Sequence, residues 1–180
     1  MRIGIAGAGG IGSNVALQLV RAGLGCFLRI VDFDRIEASN LNRQFYFADQ
    51  VGQNKAQTLV ENLKRIDPAA DLEALVLRLT ARNMGRTFDD VDIVVEGFDG
   101  AQDKKTLLET FAGSPKLVVS ASGIAGLDLS GITVRTMGNC HIVGDFATEA
   151  GPDNLYAPKV ILVAAIMSQI ILRRCLEGGR

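Results

Sequence analysis

Short apolar runs alternate with longer stretches of helical spacing through most of this chain. "RIGIAG" predicts a strand, and "IGSNVALQLVRAG" predicts a helix stopped at Gly23. "FLRIVD" reads as a second strand. In "NKAQTLVENLKRI", Ala56, Leu59, Val60, Leu63 and Ile66 share one helical face. "LEALVL" is a third strand, followed by a short helical piece capped near Thr80. "VDIVVE" is a fourth strand, "AQDKKTLLETF" a helix and "KLVVSAS" a fifth strand. Such alternation marks an α/β fold with a parallel sheet. After Gly123 the texture changes. "GITVRTMGNCHIVGDF" alternates apolar and polar positions around Gly138 and Asn139, as an antiparallel hairpin does. "ATEAGPDNLYAP" reads as a loop, and the last long helix follows Pro158. The expected architecture is a Rossmann-like α/β domain with a mixed sheet, parallel in its N-terminal half and antiparallel in its C-terminal half. No repeat, low-complexity tract or linker divides residues 1–180, so a single domain is expected.

Composition excludes several classes. The 180 residues are 48% hydrophobic with a net charge of −1, an ordinary globular profile. No basic footprint for nucleic acid is present. The most apolar run, Val160 to Leu172, is short for a bilayer and contains Ser168 and Gln169, so a buried helix is expected and no membrane. The N-terminus shows no basic stretch followed by an apolar one, as a signal peptide would. Cys26, Cys140 and Cys175 are odd in number and far apart along the chain, which argues against a disulfide framework and against zinc. A reduced, cytoplasmic setting is the expectation.

"GAGGIG" sets Gly7, Gly9 and Gly12 in a GxGxxG spacing, with Gly10 between them, where a strand meets a helix. The first glycine permits the tight turn, the second lets backbone approach a phosphate, and the third lets helix and strand pack closely. The helix N-terminus offers free N–H groups to an anion, and Ser13 or Asn14 could add a polar contact. NAD, FAD, SAM and ATP enzymes all use related turns.

About twenty residues on, where such folds place one acid for a ribose, stands "DFDRIEASNLNRQ". Asp32 ends the second strand and suits both ribose hydroxyls. Asp34 is redundant for one ribose and more useful against a metal or an arginine. Asn40, Arg43 and Gln44 follow on a loop, and Lys55 comes soon after in "GQNKA". Each alone reads as solvated surface. Together they set two cations beside a phosphate-binding turn. Hydride transfer has no need of them, whereas cleavage of a phosphoanhydride must neutralise a triphosphate.

"GAGGIGS", "DFDRIEASNLNRQ" and "VGQNKA", in this order and spacing, resemble the ThiF/MoeB/HesA family, prokaryotic relatives of the ubiquitin-activating enzymes. "IVVEGFDG" and "LYAPKV" extend the resemblance over most of the chain, and it is strongest to a compact ThiF-type branch. The resemblance implies ATP-dependent adenylation of the C-terminal Gly-Gly carboxylate of a ubiquitin-like sulfur carrier protein, ThiS-like, in thiamin biosynthesis. By position, Asp32 would hold the ATP ribose. Asn40, Arg43, Gln44 and Lys55 would meet the phosphates, and Asp99 would hold Mg²⁺. Arg43, Lys55 and Asp99 would carry the catalysis. A homodimer is the family expectation. A carboxylate nucleophile is already ionised at neutral pH, so no general base is required of a chain with one histidine.

The sequence departs from the family in four places. The N-terminal helices that carry an arginine to a neighbouring subunit are not seen. Neither are the paired Cys-x-x-Cys motifs, so no zinc is expected. Gly100 follows Asp99 where the family often has Asn. Cys140 is the one candidate for a sulfur-handling cysteine, and its strand-like setting favours a packed residue, as for Cys26 and Cys175. His141 reads as structural, and the Gly178–Gly179 pair as a chain end rather than a carrier tail. Competing readings are an NAD-dependent oxidoreductase and a non-catalytic binding relative of the family.

Overall fold

The computed structural model describes residues 1–149, 151 and 154–178. Part of the expected "ATEAGPDNLYAP" loop and Gly179 lie outside the described residues. Among the described residues, seven strands form one sheet: β1 (Arg2–Ala6), β2 (Phe27–Val31), β3 (Leu72–Leu75), β4 (Ile93–Glu96), β5 (Leu117–Ala121), β6 (Thr133–Met137) and β7 (Cys140–Gly144). Their order is β3-β2-β1-β4-β5-β7-β6. The first five strands and β7 run parallel, and β6 runs against β7. The mixed sheet is therefore as expected, with the antiparallel part confined to the β6–β7 hairpin. That hairpin turns at Gly138 and Asn139, pairing Met137 with Cys140.

Among the described residues, five α-helices cover the sheet: α1 (Gly10–Arg21), α2 (Lys55–Lys64), α3 (Met84–Thr87), α4 (Ala101–Phe111) and α5 (Ala157–Glu177). Successive side chains of a strand point to opposite faces, and here both faces are covered. Ile93 and Val95 of β4 join Ile3, Ile5, Leu28 and Ile30 in a core with α1, α2 and α5. Val94 faces the other way, into a core with Phe88, Leu107 and Phe111 under α3 and α4. Burial on both faces explains why the strands read as continuous apolar runs. Of the face expected for α2, Ala56, Leu59 and Leu63 are buried, and Ile66 beyond its end is exposed.

α5 buries Val160, Val163, Ala164, Met167 and Ile171 in the first core. Among the described residues no helix is long and apolar enough to cross a membrane. Cys26 and Cys175, distant in sequence, meet where β2 begins and α5 ends, with their Sγ atoms 3.6 Å apart. Burial and this contact push the Cys175 thiol up to about 12. Cys140 is buried in β7, and burial raises its thiol too.

β1 lies between β2 and β4, where the direction of winding reverses. Open α/β sheets form their ligand crevice at such a point, beyond the carboxyl ends of the strands. The turn after β1, the acids after β2 and the "EGFDG" segment after β4 all open there.

Candidate active site

The glycine turn is built by close contact. Gly7 has φ +93°, and a Cβ on it would lie 2.7 Å from the Gly97 carbonyl oxygen. A Cβ on Gly12 would lie 1.8 Å from the Gly7 carbonyl oxygen. Both positions therefore demand glycine. Gly9 differs: the nearest atoms to an added Cβ are Gln44 Nε2 at 3.7 Å, with Asp99 Oδ1 and the Gly97 carbonyl oxygen at 4.0 Å. The turn is tight at its ends and open in its middle, where Gln44 and Asp99 converge. Beside Gly10, at the start of α1, lies the aliphatic stem of Arg43.

Ser13 and Asn14 have a role that the sequence did not indicate. Both are buried. Ser13 Oγ accepts the Phe45 N–H at 3.1 Å, and Asn14 Nδ2 donates to the Arg43 carbonyl at 2.8 Å. They fasten the loop after β2 onto α1. Tyr46 adds to this, its buried hydroxyl donating to the Ala8 carbonyl at 2.8 Å. Asn62 holds the same loop from α2 through the Phe45 carbonyl and Gln50.

Asp32 is nearly buried. One carboxylate oxygen accepts the Ala8 N–H at 2.6 Å and the other the Asp34 N–H at 2.8 Å. Burial pushes its carboxyl above the usual range, against the pull of those two N–H groups and of Lys55. A carboxylate has about four acceptor positions, so capacity for two hydroxyls remains. Asp34 meets a lysine, with Lys55 Nζ 3.5 Å from its Oδ2. An antiparallel bridge between Arg35 and Asn54 folds the loop back and brings that lysine into place.

Two cavities adjoin at Gly97–Asp99. The smaller, about 150 Å³, is lined by Gly7, Gly9, Asp32, Asp34, Lys55 and Asp99, with Phe33 and Arg78 at its side. The larger, about 400 Å³, is lined by Gly10, Arg43, Asp99 and Lys104, and by Ser122–Ile124, Thr148 and Glu149. The two expected cations thus stand in different cavities, and Asp99 stands in both. Gln44 lies at the turn between them. It is nearly buried, and its Oε1 has no hydrogen-bond partner among the described residues. A buried acceptor left unpaired costs about 1–3 kcal/mol, which a hydroxyl or metal ion of a bound ligand would relieve and a phosphate oxygen would not. Asn40 lines neither cavity. Its Oδ1 accepts the Glu37 N–H at 3.1 Å, and its Nδ2 keeps one contact of 3.5 Å, to Ser39.

Sequence reasoning missed the charged pair beneath the larger cavity. Glu96, the last residue of β4, is fully buried. It accepts the Ser120 hydroxyl at 2.6 Å and the Phe98 N–H at 2.8 Å, and it is paired with Lys104. Lys104 also donates to the Ala121 carbonyl at 2.8 Å. The signal in the sequence was an acid closing an apolar strand, eight residues before a lysine. His141 Nδ1 lies 2.9 Å from the Thr136 hydroxyl across the hairpin.

Comparison with known proteins places the chain in a family and a fold. The profile of the ThiF family matches residues 1–172. An adenylyltransferase and sulfurtransferase (UBA4) of Yarrowia lipolytica is 34% identical over 123 residues, 68% of this chain and 31% of that one. A sulfur carrier protein adenylyltransferase of Thermus thermophilus is 38% identical over 96 residues, 53% of this chain and 35% of that one. The chain thus spans about a third of the length of these curated relatives. In fold it matches the E. coli tRNA N6-threonylcarbamoyladenosine dehydratase TcdA in complex with AMP. There the TM-score is 0.87 at 20% identity, over 99% of this chain and 87% of that one. ATP-bound HcgE of Methanothermobacter marburgensis matches with a TM-score of 0.80 at 17% identity, over 99% and 96% of the two chains. With its glycine turn, its acid after β2 and its sequence matched almost end to end, the chain belongs to the ThiF family.

Proposed function

We propose that this chain catalyses the ATP-dependent adenylation of the C-terminal Gly-Gly carboxylate of a ubiquitin-like sulfur carrier protein, of the ThiS type that serves thiamin biosynthesis. The observation that carries this reading is the pair of cavities meeting at the glycine turn, with Lys55 in one and Arg43 in the other. The names of the Yarrowia and Thermus relatives support it. In this reading the smaller cavity takes adenosine, with Asp32 on the ribose. The N–H groups around Gly9 and Gly10, Gln44 Nε2, Arg43 and Lys55 receive the phosphates, and Asn40, whose carbonyl accepts the Arg43 and Gln44 N–H groups, braces the loop that carries them. The larger cavity takes the carrier's tail.

The carrier carboxylate forms a bond to the α-phosphorus, and the bond from that phosphorus to the bridging oxygen of pyrophosphate breaks. Pyrophosphate leaves with its electron pair, and an acyl-adenylate remains. No proton moves. The protein's task is to bring two anions together and to oppose the charge on the departing group. Arg43 does so from the tail side and Lys55 from the nucleotide side.

Asp99 fits Mg²⁺ by its place. It is exposed between both cavities, and Asp103, one turn on, lines the smaller one. Mg²⁺ takes one or two carboxylates together with phosphate oxygens and waters, which suits this donor set. When bound there it would neutralise phosphate charge.

The chain is further proposed to pair as a symmetric homodimer. β6 is an edge strand of the sheet, and with the loop before it exposes Leu127, Leu129, Val134 and Met137, apolar surface that a second copy would cover. A monomer by light scattering at micromolar concentration would refute this. Calorimetric titration separates the nucleotide readings: ATP–Mg²⁺ binds and NAD does not. Tighter binding of NAD would sink the adenylation reading.

A further inference from the structure

The larger cavity has walls that no motif accounts for. One is the turn after β5, Ser122–Ile124, and the facing one is the segment after β7 that carries Thr148 and Glu149. Both are tied to a single buried cation. Lys159, in the first turn of α5, is 1% exposed. Its Nζ donates to the Ala125 carbonyl and to Asp145 Oδ2, each at 2.6 Å. Asp145 also accepts the N–H groups of Ala147 and Thr148, both at 2.9 Å, and the Thr148 hydroxyl. Thr148 Oγ1 in turn accepts the Ala125 N–H at 3.2 Å. Helix, turn and segment therefore share one polar knot.

The backbone around the knot is closely set. Phe146 holds φ +59°, and a Cβ on Gly123 would lie 1.9 Å from Asp145 Oδ1. Burial works against ionised Asp145, yet Lys159 and the Thr148 and Ala147 donors hold its carboxyl below the usual carboxylate range. A buried lysine near a helix N-terminus is unfavourable twice over, through lost hydration and through the helix dipole. A methionine of similar volume would pack there without either penalty. What the cation alone supplies is a fixed meeting of the two walls.

We propose that Lys159, through Asp145, is a positioning residue for the two walls of the larger cavity, and so sets how tightly the carrier's tail is received there. This rests on the reading that the larger cavity takes that tail. Neither residue lines the smaller cavity, and neither is hydrogen-bonded to Arg43, Lys55 or Asp32, so ATP should sense the pair far less than the carrier's tail does.

The test uses the full chain and its Lys159→Met, Lys159→Arg and Asp145→Asn variants. Three quantities are read: KM for a recombinant ThiS-type carrier in ATP–pyrophosphate exchange, Kd for ATP by calorimetry, and amide hydrogen exchange in segments 122–126 and 145–149. Lys159→Met should raise the carrier KM about tenfold or more and leave the ATP Kd within about twofold. Exchange should quicken in both segments, and Lys159→Arg should restore all three values. Asp145→Asn should act in the same direction but less, because its amide oxygen still accepts the Ala147 and Thr148 N–H groups. An unchanged carrier KM in folded Lys159→Met overturns the proposal. So does an ATP Kd that weakens as much as the carrier KM, which marks a merely structural role. Should Lys159→Met fail to fold, Asp145→Asn decides by the same criteria. If the wild type shows no carrier-dependent exchange, the adenylation reading is what fails. The positioning claim is then decided by hydrogen exchange in Asp145→Asn: quickening in the two segments alone supports it, and unchanged or uniform exchange overturns it.

Discussion

The two cavities lie side by side on one sheet edge, yet they are assembled by different means. The smaller cavity, proposed for the nucleotide, is shaped by close backbone contacts. Gly7 and Gly12 admit contacts that a Cβ would forbid, and the Ala8 and Asp34 N–H groups hold Asp32. Its parts fall within the first 55 residues, apart from the segments after β3 and β4. The larger cavity, proposed for the carrier's tail, rests on buried side-chain charge. Glu96–Lys104 lies beneath it, and Asp145–Lys159 ties its walls. Backbone geometry can specify a ligand that does not vary, such as a nucleotide. Buried ion pairs fix chain segments from different parts of the sequence, at the risk of a stranded charge when one partner is lost.

That risk gives the largest expected effect. Lys104→Met would leave Glu96 fully buried with its charge unopposed. Breaking such a pair costs about 3–5 kcal/mol, readable from urea unfolding. A loss below about 1 kcal/mol, the range of surface pairs, would erase the distinction between the two sides. Next is Arg43→Ala. In the proposed reading its cation faces phosphates whose charge moves as pyrophosphate leaves, so kcat should fall roughly 10²–10³-fold. An intact kcat would make Arg43 a surface charge and leave Lys55 and Asp99 to carry catalysis. Asp32→Ala is smaller and of another kind. Asp32 is assigned to the ribose, which does not change during the reaction, so the KM for ATP should rise roughly tenfold to a hundredfold while kcat holds. A fall in kcat with KM unchanged would remove Asp32 from the ribose.

The smallest effect is a pH dependence. The folded Asp145 carboxyl is held below its usual range, so its ionised form favours the folded state. That stability is present above the unfolded value, about 4. It is lost as pH falls through the lower folded value. The stability gap between wild type and Asp145→Asn should therefore be largest near neutrality and shrink below about pH 4. A gap independent of pH would mean that shape rather than charge ties the walls.

The same contrast explains what could be read from sequence. The order β1–α1–β2, the glycine spacing and Asp32 are local patterns with local causes, and they were legible. The hairpin was legible from Gly138 and Asn139, but its outward placement, with β7 beside β5, depends on how the 122–132 connection crosses the sheet. The division of Arg43 and Lys55 between two cavities was hidden, because it depends on the fold-back between Arg35 and Asn54. Lys159 was hidden most deeply. In "APKVIL" it looks like a charge on a helix end, and its partner Asp145 lies on a segment that only the sheet brings near. The meeting of Cys26 with Cys175 escaped notice for the same reason.

The most direct test of the central claim is ATP–pyrophosphate exchange with a ThiS-type carrier, run with and without the carrier's terminal Gly-Gly. Adenylation predicts exchange that needs ATP, Mg²⁺ and the intact tail, and that vanishes when the glycines are removed. Exchange that ignores the tail, or none with any Gly-Gly carrier despite tight ATP binding, would contradict it.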